Sequence, residues 1–317
     1  QYDLAGRRIR MTLPDHSSIN YHYRGPLLSS IERLGNDQQS LYTHSYAYDA
    51  NGRLQTCHLL NDLGSIQYQY NDEKRLVSIQ SPWWSQKMEK KGFDPYGRVL
   101  ETHIQDNQGP HSSYFVYQED GQLAEEEGHQ YTYDSLFNRL SDNQQQWQVN
   151  SLNQLIQTPA ASYVYDANGN LIEKHSKGES IFFTYDALNR LVRVEYPEQQ
   201  ALTYVYDAFH RCIEQKHWKW QGQSTWHLHS SDRLIYDGFN EIGKMTSQGQ
   251  LAELRVLGQG KGAELGAAIA LELQGKIFVP LHDELGSVRC VVNAENGQVA
   301  ESYRYSAYGQ ESIWDEN

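Results

Sequence analysis

The sequence predicts a nearly all-β chain made of tandem β-hairpins that join into a continuous ribbon. Three observations predict it: a tyrosine-aspartate-turn phrase recurs along the chain, aromatic pairs at i and i+2 precede the copies, and helical periodicity is scarce.

The phrase runs through "YDLAGRR" (2–8), "YDANGRL" (48–54), "YNDEKRL" (70–76), "FDPYGRV" (93–99), "YQEDGQL" (117–123), "YDSLFNRL" (133–140), "YDANGNL" (165–171), "YDALNRL" (185–191), "YDAFHRC" (206–212) and "YDGFNEI" (236–242). Closing residues fall at 54, 76, 99, 123, 140, then 155 for the eroded "NSLNQL", 171 and 191, so steps run from 15 to 24 residues. A period of this size marks a repeat array in which each unit is one supersecondary element.

Within a unit, pairs such as Tyr46/Tyr48, Tyr163/Tyr165, Phe183/Tyr185 and Tyr204/Tyr206 share one face of a strand, because strand side chains alternate with period two. Asp49, Asp166, Asp186 and Asp207 follow at the strand ends, where a carboxylate can cap a turn through backbone N–H groups. Asn51-Gly52 and Asn168-Gly169 offer the positive-φ residues that a tight hairpin needs. A Leu or Val then resumes the alternation, as in "RLVRVEY" (190–196). One hairpin is marginal in water, so stability must come from pairing each with the next. Two short stretches have helical character, "SQKMEKKG" (85–92) and, more weakly, "QLAEEEG" (122–128).

The 317 residues allow one large or two ordinary domains. Only 38% are apolar, yet there are 23 Tyr and 7 Trp, so much of the buried surface is expected to be amphipathic aromatic. A formal charge of −13 opposes a phosphate backbone and places nucleic acid low among partners. The longest mostly apolar run, "LGAAIALEL" (265–273), is far short of the roughly 20 residues a membrane helix needs. Cys57, Cys212 and Cys290 are widely spaced and form no CxxC pair, which points to buried free thiols. Gln1 opens no signal peptide and "YDLAGRR" reads as a repeat in progress, so a longer polypeptide is expected.

The phrases resemble the YD repeats of the RHS family, which includes Tc toxin C subunits, polymorphic toxins and teneurins. The strongest likeness is "VPLHDELGSVRCVVNAENGQVAESYRYSAYGQ" (279–310), where Asp283, Leu285, Gly286, Ser287, Arg289, Gly297, Tyr303, Tyr305, Tyr308 and Gly309 hold the family's positions. The resemblance divides the chain into a YD repeat array (1–250) and an RHS repeat-associated core block (251–317) that stops before the family's self-cleavage segment. It implies that the ribbon spirals into a hollow shell. The structural signature is then Tyr48, Asp49, Gly52, Tyr165, Asp166, Gly169, Tyr185, Asp186, Tyr206, Asp207, Asp283, Gly286, Arg289, Tyr305 and Gly309.

No catalytic, cofactor or metal residue is assigned. HExxH, GxSxG and GxxxxGK[ST] motifs are absent. The glycines of "VLGQGKGAELG" (256–266) read as a bend between strands, since the lysine is misplaced for a P-loop. "HWKWQGQSTWHLH" (217–229) offers His227 and His229 for a metal or a sugar, against a plainer hairpin turning at Gln221-Gly222 with Trp218, Trp220 and Trp226 as cross-strand pairs. Glu125, Glu126 and Glu127 read as a solvated face, and "SPWWSQK" (81–87) as an aromatic anchor or an exposed contact.

The function expected from the resemblance is a structural, non-enzymatic shell of a secreted polymorphic toxin that sequesters a C-terminal effector. Its partners would be that effector, further RHS repeats and a delivery apparatus. The alternative is a teneurin-like cell-surface module that binds protein or carbohydrate through exposed Trp and Tyr. A β-helical carbohydrate-active enzyme ranks last.

Overall fold

The computed structural model describes residues 1–88, 92–222, 224–258 and 267–315. Apart from one short 3₁₀ turn at Leu60–Asp62, every regular element among them is a β-strand. The strands form two antiparallel sheets of 14 and 16, and in each the spatial order follows the sequence order. Such an order needs only hairpin connections, as tandem hairpins predict.

Most YD turns share one geometry. Gly52 N donates to Asp49 O at 2.9 Å, and Asp49 N donates to Arg53 O at 2.9 Å. The strand register shifts between Ala47 and Tyr48, just before the turn. This is a four-residue turn followed by a one-residue bulge, in which only the fourth residue takes positive φ. Gly52 has φ 74 and Gly169 has φ 87, while Asn51 and Asn168 do not enter that region. The expected pair of positive-φ residues is therefore corrected to one, because the carboxylate rather than a second left-handed residue closes the loop.

The same place in other turns is filled by Lys74 (φ 66), Phe137 (φ 68), Asn189 (φ 57) and His210 (φ 64). A bulky side chain in left-handed geometry is strained, so these turns are held there by the rest of the hairpin.

Both stretches with helical character are strand instead. Ser85–Lys87 pairs on both sides, with Ser78–Gln80 and with His103–Gln105. Leu123–Glu126 pairs with His129–Tyr133. One or two helical turns cannot recover the cost of nucleation, whereas a waiting sheet edge supplies backbone partners at once. Residues 89–91, within the first stretch, lie outside the described residues.

Packing divides the chain into two compact units, Gln1–Tyr114 with Gly249–Asn317, and Phe115–Gln248. The first holds a true core, to which Ile19, Ile31, Leu54 and Ile79 contribute from one stretch and Leu254, Val256, Leu281 and Val292 from the other. Polar bridges join the two stretches. Arg33 pairs with Glu272 at 2.8 Å, Tyr42 donates to the same carboxylate at 2.7 Å, and Arg304 grips Asp106 through two nitrogens at 2.6 and 2.9 Å. Trp83 Nε1 donates to Gly297 O at 2.8 Å and Trp84 is buried, which makes "SPWWSQK" an anchor. Cys57 and Cys290 are buried free thiols in this unit, burial pushing the Cys290 thiol up to about 12, whereas Cys212 in the other unit is only half-buried, against the expectation.

The second unit has few fully buried apolar side chains among the described residues, chiefly Tyr131, Val194, Ala201 and Ile242. Its stability rests on strand ladders and on the repeat contacts below. Glu126 is buried against Tyr131, so the solvated-face reading of Glu125–Glu127 fails there, since strand alternation turns the middle glutamate inward.

Phe137→Gly is expected to raise the thermal midpoint, because glycine accepts φ 68 without the roughly 1–2 kcal/mol that a Cβ costs in left-handed geometry. An unchanged or lower midpoint by circular dichroism would count against strain at that turn.

Candidate functional site

The residues picked out from the sequence assemble into one repeated constellation. Asp49 Oδ1 accepts the backbone N–H groups of Asn51 and Arg53 at 2.8 and 3.0 Å, and its Oδ2 takes the Arg53 Nε at 2.7 Å. Asp3, Asp94, Asp186 and Asp207 repeat this arrangement with Arg7, Arg98, Arg190 and Arg211. Asp166 makes it with the Asn170 amide, and Asp134 with Asn138. For Asp49 and Asp186 the backbone N–H of the arginine, then its side chain, holds the carboxyl below the usual range despite some desolvation. For Asp134 and Asp166 the asparagine amide does so first.

That same arginine reaches forward to the aromatic residue of a later repeat. The Arg53 guanidinium lies 4.5 Å from the Tyr70 ring centre, Arg7 4.4 Å from Tyr23, Arg190 5.0 Å from Tyr206 and Arg211 5.2 Å from Tyr236. These distances suit cation–π attraction.

Each tyrosine in turn reaches back. The Tyr70 hydroxyl donates to Leu54 O at 2.9 Å, Tyr206 to Leu191 O at 2.7 Å and Tyr236 to Cys212 O at 2.7 Å, each carbonyl belonging to the residue after the partner arginine. Tyr48 and Tyr165 bond in the same way to Leu28 O and Leu155 O. Tyr185 closes its strand opposite Leu191, after the same register shift. Burial raises the Tyr206 and Tyr236 hydroxyls above their ordinary range, so both stay protonated donors at neutral pH.

The core block carries a variant. Asp283 is fully buried and accepts Leu285 N and Ser287 N at 3.0 and 2.9 Å, but its arginine is six residues on, Arg289 at 2.8 Å, which lies 5.6 Å from the Tyr305 ring. Gly286 (φ 85) and Gly309 (φ 77) fill the left-handed places of their turns, and Ser306 replaces aspartate in the second, accepting Gln310 N. Beside Asp283, burial first and then the Asp283 charge raise the Glu284 carboxyl above the usual range. Gln86 lies against it and lowers it in part, its Nε2 donating to Thr102 Oγ1 at 3.1 Å, while Glu284 Oε2 and Gln86 Oε1 are both buried without a partner.

The histidine-tryptophan stretch is a hairpin, as its plainer reading has it. Trp220 and Trp226 pair across the strands with ring centres 5.0 Å apart, while Trp218 faces Leu228 and donates to Thr203 Oγ1. His217 and His229 meet edge to face at 5.2 Å. The Lys219 charge lowers the His229 pKa, an environment that repels a cation. Among the described residues no group of three or more His, Cys, Asp or Glu is placed to hold a metal. Residue 223 in this hairpin and residues 259–266 of the glycine-rich run lie outside the described residues.

The sequence located the tyrosine and aspartate of the unit, and Arg289 in the core block, but missed the arginine of the YD turns that connects one repeat to another. The signal was present, since Arg follows at the fifth place of "YDLAGR", "YDANGR", "YDALNR" and "YDAFHR" counted from the aspartate.

Residues 85–317 match the Teneurin YD-shell family model. A search of curated proteins returned no match. Among solved structures, the TcdB2-TccC3-Cdc42 crystal structure aligns over 100% of this chain and 16% of its own, at TM-score 0.50 and 13% identity. A Photorhabdus luminescens Tc holotoxin pore with a substitution in TccC3 aligns over 100% of this chain and 20% of its own, also at 0.50 and 13%. At such identity the likeness is one of fold, and this chain spans a fifth or less of those chains.

Tyr206→Phe removes one link without altering the ring. It should lower the thermal midpoint by the equivalent of about 0.5–1.5 kcal/mol, and a midpoint equal to wild type would show the hydroxyl bond to be idle. For Glu284 the sign is the opposite of the turn aspartates. The unfolded carboxyl releases its proton near pH ~4.3 while the folded one holds it longer, so stability falls as pH rises between the two values. Glu284→Gln should therefore melt above wild type at neutral pH, with the gap closing toward pH ~4. A variant that melts below wild type at neutral pH but level with it near pH ~4 would show that the ionised carboxylate is needed.

Proposed function

The chain belongs to the Teneurin YD-shell family, and from that membership we propose that it is a wall segment of an RHS shell that sequesters a C-terminal effector of a secreted polymorphic toxin. The observation that carries the reading is the repeat-to-repeat linkage. Asp, Arg and Tyr are spent on holding hairpin to hairpin, which is the chemistry of a wall rather than of turnover.

A wall of this kind acts by exclusion. A polypeptide held behind it cannot reach its target, and with restricted room it is kept from folding or from being bound. The division into a repeat array (1–250) and a core block (251–317) belongs to the same proposal, with the signature from Tyr48 to Gly309 serving structure only. The partners proposed are the effector and further repeats of the same shell, with a delivery apparatus acting outside the producing cell. No helix among the described residues is long and apolar enough to cross a membrane.

The test is expression of the complete open reading frame that contains this segment, followed by intact mass and size-exclusion chromatography. Two or more chains that co-elute are expected, the smaller one retained by the shell. A single uncleaved chain without a variable tail would overturn the encapsulation reading and favour the surface-binding module.

A further inference from the structure

One edge of the Phe115–Gln248 unit carries a feature that the shell reading does not use. Most of its neighbouring YD turns are tied to one another side by side. Asn138 Nδ2 donates to Asn153 Oδ1 at 3.0 Å, Asn168 and Asn170 both donate to Asn189 Oδ1, Arg190 Nη1 donates to Asp207 O and Arg211 Nη1 to Gly238 O. The turns thus form a fixed row, and hairpins two strands wide set them about 10 Å apart.

Large apolar side chains stand at the tips of this row. Leu136, Leu152, Leu188 and Phe209 occupy the third turn position at 61–74% exposure, and Phe239 sits at the tip of the Asp237–Asn240 turn at 80%. The turn does not require them, since Asn168 fills the third position within this same row, between Leu152 and Leu188, and Asn51 fills it in another turn. Repeated exposure of this kind marks a contact surface.

We propose that this row of tips is a docking strip for a second copy of the chain, laid edge to edge in antiparallel fashion. Three observations favour that occupant. Only a partner with the same turn spacing can engage every tip, and a second copy has it by construction, which suits a two-fold interface. The rim carries little bare charge, because Asp186 and Asp207 are paired with Arg190 and Arg211 at 2.7 Å, while Asp134 and Asp166 bond to neutral asparagine amides and keep their negative charge. Five tips of roughly 100 Å² each on two facing strips bury about 1,000 Å², the lower bound for specific association, so a micromolar dimer is expected. The chain's charge of −13 disfavours an anionic lipid surface.

Sedimentation velocity across the micromolar range tests this on the chain and on a Leu188→Asn/Phe209→Asn/Phe239→Asn variant. Asparagine is chosen because Asn168 holds the equivalent place. Wild type should pass from monomer to dimer with concentration, and the variant should dimerise at least tenfold more weakly while keeping the wild-type circular dichroism spectrum. Should the triple variant fail to fold, Leu188→Asn and Phe239→Asn are measured singly, and each should weaken the dimer. A wild type that is monomeric throughout, or variants that dimerise as tightly, would overturn the proposal. So would a monomer that floats with neutral phosphatidylcholine vesicles, since the strip would then be a lipid contact.

Discussion

Hairpin is joined to hairpin along this chain by a relay among three side chains. An aspartate fixes a turn and holds an arginine, the arginine covers the tyrosine of a later repeat, and that tyrosine bonds back to the carbonyl after the arginine. Each link is individually modest, about a kilocalorie or less for an exposed cation–π contact and about one for a hydroxyl bond. Their effect lies in repetition. The Phe115–Gln248 unit has few fully buried apolar side chains among the described residues, and the relay from Arg190 to Tyr206 and from Arg211 to Tyr236 adds to its strand ladders.

The two units solve the same problem differently. Where the first and last stretches of the chain pack together, aliphatic side chains are fully buried, and the ion pairs Arg33–Glu272 and Arg304–Asp106 fix how the stretches meet. Losing one partner of such a pair costs more than the pair contributes, because it strands a desolvated charge. Glu284 shows the converse, a carboxyl that burial and the neighbouring Asp283 charge push above the usual range, with Arg289 and Gln86 offsetting them only in part.

Much of the fold was legible in the sequence because its local signals agree with one another. Alternation gave the strands, and the Asp-to-Gly spacing gave the turns. What escaped was whatever depended on partners distant in sequence. Nothing near Ser85 or Leu123 announces that a sheet edge waits for it, so helical composition prevailed in the reading and strand pairing prevailed in the molecule. Glu126 looked solvated beside two other glutamates, although the pleat buries it. The arginine relay was written in plain letters but acquires meaning only once Tyr70 is seen to lie over Arg53. The Asp49 cap, which is local, was read correctly.

The first unit is assembled from both ends of the chain, with the whole of Phe115–Gln248 between them. During synthesis its opening strands must therefore wait, on the order of ten seconds at ribosomal speed, before Glu272 or Arg304 exists to meet them. Loop closure over that distance adds little to the equilibrium cost, since the entropy grows only logarithmically with length. It does set the order of events. The intervening hairpins, whose strands pair with their neighbours in sequence, can zip up one by one as they emerge, and the non-local joining comes last and slowest. A nascent chain of this kind exposes Ile19, Ile31 and Leu54 throughout the wait, and that interval, rather than the finished molecule, is where misassembly threatens it.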